Sequence, residues 1–188
     1  DTPEEGDRLI AQRSQEIKAI LGDNIYGYDE ESLEEVVLKL LQEEKLTLSL
    51  AESCTGGLIA SRLTDIPGAS ASLICGVVSY SNASKINILG VREQTIGNYG
   101  AVSSQTAEEM AAGVKKLNGT DIGLSITGIA GPEGGSAEKP VGLCYIGIAG
   151  DTVKAHKFIF SGNRTKIKWN SSSRALDILR RELLSKKK

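Results

Sequence analysis

Histidine is almost missing from this chain: His156 stands alone among 188 residues. One imidazole leaves almost no room for a Ser–His–Asp relay or a multi-histidine metal site, and a solvated position in a strand is the simplest reading of His156. Cysteine is sparse as well. Cys54, Cys75 and Cys144 lie far apart, form no CxxC pair and are odd in number, which excludes a disulfide framework and a zinc site; they read as reduced thiols of a cytoplasmic protein. Aromatic residues make up 4% of the chain, with one tryptophan, so the core must be aliphatic and no stacking platform for bases is on offer. No apolar run reaches membrane-spanning length and no secretory signal is present, so no membrane partner is expected.

What remains is an aliphatic, glycine-rich sequence, 40% hydrophobic and 24% charged with a net charge of −2, enough for one globular domain and some extra length. Charge is uneven: Asp151 to Lys188 holds eleven Lys/Arg against three Asp/Glu. Without interleaved aromatics this basic end reads as a solvated helix surface fraying at Lys186–Lys188, and a nucleic-acid partner is not expected.

The most informative stretch is LTLSLAESCTGGLIASRL, Leu46 to Leu63. Leu46, Leu48 and Leu50 alternate as in a strand. The chain then turns through Glu52-Ser53-Cys54-Thr55-Gly56-Gly57 and resumes as a helix carrying Leu58, Ile59 and Leu63. The free amides and positive dipole end of such a helix suit an anion or a developing oxyanion, with two hydroxyls and a thiol alongside. The plainer alternative is a capped turn in which Ser53 or Thr55 satisfies backbone amides.

In chain order, Arg8–Leu21 is an amphipathic helix. A second helix starts at the Ser32-x-x-Glu35 capping box and carries the stripe Leu33, Val36, Val37, Leu40 and Leu41. Leu73–Tyr80 reads as a fully buried strand, and a helix follows through Lys85, Ile86, Ile88 and Leu89. Gly97–Val102 is read as loop. Ser103-Ser104 starts a helix with the face Ala107, Met110, Ala111, Val114 and Leu117. A strand over Ile122–Thr127 leads into the glycine-rich loop Gly128–Gly142, whose length marks it as functional or disordered. A hairpin of Leu143–Ala149 and Val153–Phe160 and a C-terminal helix complete an α/β chain, expected as three layers around a mixed, mostly parallel sheet. Residues 1–27 are expected to be a helical appendage or the tail of a preceding region, and 28–188 the domain itself.

If the first three strands are parallel, the loops at Ser53–Gly57, Tyr80–Lys85 and Thr127–Gly131 meet at one rim, where ligands bind in open α/β sheets. Ser53 then needs a base other than histidine. Lys85 is the candidate, since a lysine in a dry pocket loses its proton more readily, with Tyr80 expected to bridge and orient the two. An exposed helix lysine and a core tyrosine are the plain alternatives.

Four stretches, AESCTGGLIASRLTDIPGAS, GVVSYSNASKINILGV, YGAVSSQTAEEMA and SITGIAGPEGGSAEKPVG, closely resemble the C-terminal domain of the CinA (competence/damage-inducible) family, which includes nicotinamide mononucleotide deamidases. The resemblance implies the CinA-type α/β/α fold and hydrolysis of nicotinamide mononucleotide to nicotinic acid mononucleotide and ammonia, without metal or cofactor, by a homodimer or higher homo-oligomer. It implies Ser53 as nucleophile, Lys85 as base, and Tyr80 and Thr127 as catalytic partners. Thr55, Gly56, Gly57, Asn82, Gly128, Gly131 and Arg164 would bind substrate, the phosphate falling to Arg164 with the 131–135 loop or to Lys139. Asn163 stands where the family pattern carries aspartate, which puts the setting of Arg164 in question. The alternative is a catalytically silent nucleotide-binding or assembly domain of a two-domain protein.

Overall fold

The computed structural model describes residues 2–186. Seven helices and five strands follow in order: α1 (Pro3–Leu21), α2 (Leu33–Glu43), β1 (Leu48–Glu52), α3 (Leu58–Thr64), β2 (Leu73–Val78), α4 (Asn82–Leu89), α5 (Glu93–Tyr99), α6 (Ser104–Asn118), β3 (Ile122–Gly128), β4 (Leu143–Ala149), β5 (Val153–Ile159) and α7 (Arg164–Lys186). Single 3-10 turns lie at Gly22–Asn24 and Ala69–Ala71.

The sheet order is β2-β1-β3-β4-β5. β1 pairs in parallel with both β2 and β3, whereas β3–β4 and β4–β5 are antiparallel. The sheet is therefore mixed, with β4 alone running against the rest. Two consequences place the site. The C-terminal ends of β1, β2 and β3 share one rim, and because β4 runs backwards the end of β5 reaches that rim too, delivering the start of α7 to it.

The two sheet faces are built differently. Leu48 and Leu50 of β1, Ile122, Leu124 and Ile126 of β3, and Ile146 and Ile148 of β4 pack against α2, α3 and α7 in one continuous aliphatic core. The opposite face is made of small residues. Ser125 Oγ donates to the Ala107 carbonyl, and a methyl built on Gly123 or Gly147 would run into the carbonyl of Ala111 or Ala107. That lets α6 lie directly on the sheet, with α4 and α5 packed outside it.

Caps define the helix starts. Ser32 and Glu35 form both halves of the capping box of α2, Ser103 caps α6, and Thr2 caps α1 with Pro3 at its first turn, extending that helix beyond the expected Arg8. α1 buries none of its residues, and the chain is tied back after it by Arg180 of α7, which donates to the carbonyls of Asp23 and Ile25 while paired with Asp177.

Five expectations need correction. The Leu73–Tyr80 run is not a fully buried strand: β2 is the sheet edge, with Ile74, Gly76 and Val78 exposed, because nothing pairs beyond it among the described residues. Gly97–Tyr99 belong to α5 rather than to a loop; Ile96 is its only large aliphatic residue, so no apolar stripe announced this helix. Leu117 lies exposed where α6 runs past the edge of the core. His156 is half-buried with Nε2 unpartnered, and burial together with the Lys154 charge pushes its imidazole below the ordinary value, Glu182 opposing. The basic C-terminus is partly tied, since Lys186 pairs with Asp151 at 2.8 Å; Lys187 and Lys188 lie outside the described residues.

Candidate active site

β1 ends in Glu52, and Ser53 follows with its backbone still in the sheet: its amide donates to the Ile126 carbonyl at 3.0 Å, and the Glu52 carbonyl accepts from Ser79 at 2.8 Å. The next four residues reverse the chain. Gly56 and Gly57 sit at φ +65° and +92°, a region that side-chain-bearing residues rarely adopt, so the turn requires both glycines. Ser53 is thereby left at the rim, 8% exposed.

Lys85 reaches it from α4. Ser81 caps that helix and exchanges a capping-box pair with Ser84, which fixes the first turn and aims the next residue inward. Lys85 is 1% exposed; its Nζ donates to Ser53 Oγ at 3.1 Å and to the Ser79 carbonyl at 2.8 Å. The other cations buried this deeply, Arg62 and Arg180, each hold a carboxylate (Glu34 and Asp177); Lys85 is paired with none among the described residues. Burial pushes its ammonium below the ordinary lysine value, with only the neighbouring Cys54 opposing.

These groups face a cavity of about 190 Å³ lined by Ser53, Cys54, Lys85, Thr127, Gly128 and Arg164 among others. Ala101 and Val102 form a further wall, fixed by Thr127 Oγ1, which donates to the Ala101 carbonyl at 2.8 Å, and by Lys139 Nζ, which donates to the carbonyls of Tyr99 and Val102 at 2.6 and 2.9 Å. Lys139 is thus a clamp on this loop, not a free cation for a phosphate. The sequence reading missed Ala101 and Val102, whose contribution is shape alone and carries no chemical signature. The glycine-rich loop is ordered, its two ends joined by Gly142 donating to the Ile129 carbonyl at 2.7 Å.

Several expected roles move. Tyr80 does not bridge Ser53 and Lys85; it stands 63% exposed at the cavity mouth, where its Oη accepts from Arg164 Nη2 at 3.0 Å. Arg164 also donates to the Gly131 carbonyl at 2.9 Å, and Gly131, at φ +75°, turns that carbonyl toward it. Asn163, in doubt from sequence, accepts from the Lys166 amide at 2.9 Å and so caps α7, a task asparagine and aspartate perform about equally. Asn82 lines the cavity. Thr55 is fully buried, away from the cavity lining, with Oγ1 unpartnered, so substrate contact does not fall to it. The Gly56 amide donates to the Ser53 carbonyl at 3.1 Å, and the Gly57 amide to the Glu52 carboxylate at 3.1 Å; both are spent before any oxyanion arrives. Thr127 Oγ1, already donating to Ala101, is spent in the same way. Cys54 is buried, and Cys144 beside it, together with burial, pushes its thiol well up, which disfavours the thiolate that a cysteine nucleophile needs.

A larger groove of about 540 Å³ lies elsewhere, beside Tyr26, Arg174 and Arg181. Both of its arginines are paired with Asp177 and it holds no nucleophile–base pair.

The site thus joins a buried lysine to a strand-end serine, with an arginine from the last helix at the cavity mouth. Residues 30–183 match the family model described as the CinA C-terminal domain. The chain belongs to the CinA C-terminal domain family. A CinA-like protein of Kosmotoga olearia is 49% identical over 185 residues, covering 98% of this chain. Among solved structures, a competence/damage inducible protein from Agrobacterium tumefaciens aligns with TM-score 0.77 and 40% identity over 82% of this chain and 96% of its own. A CinA superfamily protein from Klebsiella pneumoniae aligns with TM-score 0.78 and 30% identity over 82% of this chain and 99% of its own. The chain spans 43% of the length of a Thermoanaerobacter pseudethanolicus relative, to which it is 55% identical over 177 residues, and 45% of the Kosmotoga protein. No helix among the described residues is long and apolar enough to cross a membrane.

Proposed function

We propose that this CinA domain is a serine–lysine amidohydrolase that converts nicotinamide mononucleotide to nicotinic acid mononucleotide and ammonia. The observation that carries the reading is the buried Lys85, without a carboxylate partner among the described residues, placed 3.1 Å from Ser53 Oγ in a chain with one histidine elsewhere. Neutral Lys85 takes the Ser53 proton as Oγ attacks the carboxamide carbon. The tetrahedral intermediate collapses as Lys85 returns that proton to the departing nitrogen, ammonia leaves, and water resolves the acyl-enzyme by the same route.

The substrate assignment draws on the family and on the cavity's size. About 190 Å³ is below the roughly 300–1,000 Å³ that encloses a drug-sized ligand, so a ring and its carboxamide enter while ribose and phosphate stay at the mouth beside Arg164 and Tyr80. Asn163 was the only local hint of the silent-domain alternative, and as a helix cap it no longer supplies one; the other ground, a structural or regulatory role within a two-domain protein, is decided by turnover.

Ammonia release from nicotinamide mononucleotide tests the proposal. Wild type is expected to turn over. Ser53→Ala and Lys85→Ala are each expected to lose roughly 10²–10⁴-fold in kcat while still binding the nucleotide in a thermal-shift assay. A folded wild type that releases no ammonia overturns the assignment.

A further inference from the structure

The sequence offers the start of α3 as a place for an external anion, and the chain fills it with its own carboxylate. Glu52, the last residue of β1, is 2% exposed. Its Oε2 accepts from the amides of Gly57 and Ile59, both at 3.1 Å, and its Oε1 from the amide of Ala60 at 2.9 Å. No lysine or arginine pairs with it among the described residues; three amides and the positive end of α3 offset the cost of burying the charge.

The main chain of the same residue closes a ring through the site. The Glu52 carbonyl accepts from the Ser79 amide, the Ser79 carbonyl accepts from Lys85 Nζ, and Lys85 Nζ holds the Oγ of Ser53, the residue bonded to Glu52. The side chain of Glu52 therefore sets where the turn after Ser53 folds back, while its backbone sets where the Ser79–Lys85 arm lies.

We infer that Glu52 is a positioning residue: its carboxylate, through the three α3 amides, locks the Ser53–Gly57 turn so that the serine is presented to Lys85. This rests on the serine–lysine reading but not on the identity of the amide substrate. Glutamine at this position keeps the shape but has one acceptor atom, and turns an NH₂ group against a backbone N–H. Aspartate keeps the charge but is one methylene too short to reach all three amides. Either change lets the turn drift, and misplacement of about 1 Å costs on the order of 10²-fold in rate.

The test is the rate at which a small fluorophosphonate labels Ser53, a readout independent of substrate, in wild type, Glu52→Gln and Glu52→Asp, with urea midpoints and circular dichroism as fold controls. Both variants are expected to fold and to label at least tenfold more slowly. On nicotinamide mononucleotide, kcat should fall with KM little changed, and the midpoint of the pH–rate profile should stay at its wild-type position because Lys85 is untouched. In wild type, the amides of Gly57, Ile59 and Ala60 should be strongly protected from hydrogen exchange. Labelling at the wild-type rate in the folded variants, loss of fold in both variants, or unprotected amides in wild type overturns the inference. If wild type labels at Ser53 but releases no ammonia, the substrate assignment falls and the role of Glu52 stands; if Ser53 does not label at all, both fall.

Discussion

Lys85 is buried with no carboxylate partner among the described residues. Lys85 must be neutral to take a proton. Burial lowers its pKa, with Cys54 opposing, so the neutral fraction grows as pH rises through a value below the ~10.4 of a free lysine. The sign is therefore fixed: kcat/KM climbs with pH, and the climbing limb lies on the acid side of an ordinary lysine titration. A pH–rate profile that is flat, or that climbs only at the free-lysine value, contradicts the assignment. Lys85→Arg should not restore activity, because a guanidinium stays charged and cannot act as a base; about 10²-fold loss or more is expected. Ser53 and Lys85 were legible in the sequence because strand-then-helix patterning and parallel connections bring their loops to one rim. Glu52 was not, since the sequence shows a glutamate at the entry to the turn but not the three amides gathered around its carboxylate. Tyr80 was misjudged for a related reason. Its spacing from Lys85 says that both reach the rim, but not that Arg164, eighty-four residues on, draws the phenol to the mouth.

Among the elements, the crossing of α4 over α6 decides where Lys85 stands. Gly113 of α6 lies against the last turn of α4, and a methyl there would run into the carbonyl of Leu89, which is backbone and cannot swing aside. Gly113→Ala should push the two helices apart, lowering stability by about 1–3 kcal/mol in a urea titration and lowering kcat as Lys85 shifts from Ser53. Unchanged stability and rate in that variant would show that α4 is not held by this contact. Helices α2 and α6 were readable because their caps and apolar stripes are strong, and the β4–β5 hairpin because Gly150-Asp151 separates two strand-like segments. The polar α5 was not. The edge position of β2 was hidden too, because LICGVV carries the continuous apolar run of a central strand; only the pairing partners reveal that one side is open.

For the whole molecule, the reversed β4 is the organising feature. It returns the end of β5 to the rim already occupied by β1, β2 and β3, so that Arg164 arrives opposite Tyr80 while the glycine-rich loop bridges β3 and β4 at the same edge. The parallel half of this plan followed from the sequence, and the hairpin predicted an antiparallel pair. That all these ends share one cavity depended on strand order, which local patterning does not encode. The proposed chemistry in this cavity is acyl transfer through Ser53. Its most direct test is mass spectrometry of enzyme quenched during turnover of nicotinamide mononucleotide, with hydroxylamine as a trap for the acyl group. An adduct equal to substrate minus ammonia is expected on the peptide carrying Ser53, with release as a hydroxamate when the trap is present and neither product from Ser53→Ala. Ammonia release undiminished in Ser53→Ala, or an adduct on Cys54 instead, would contradict it.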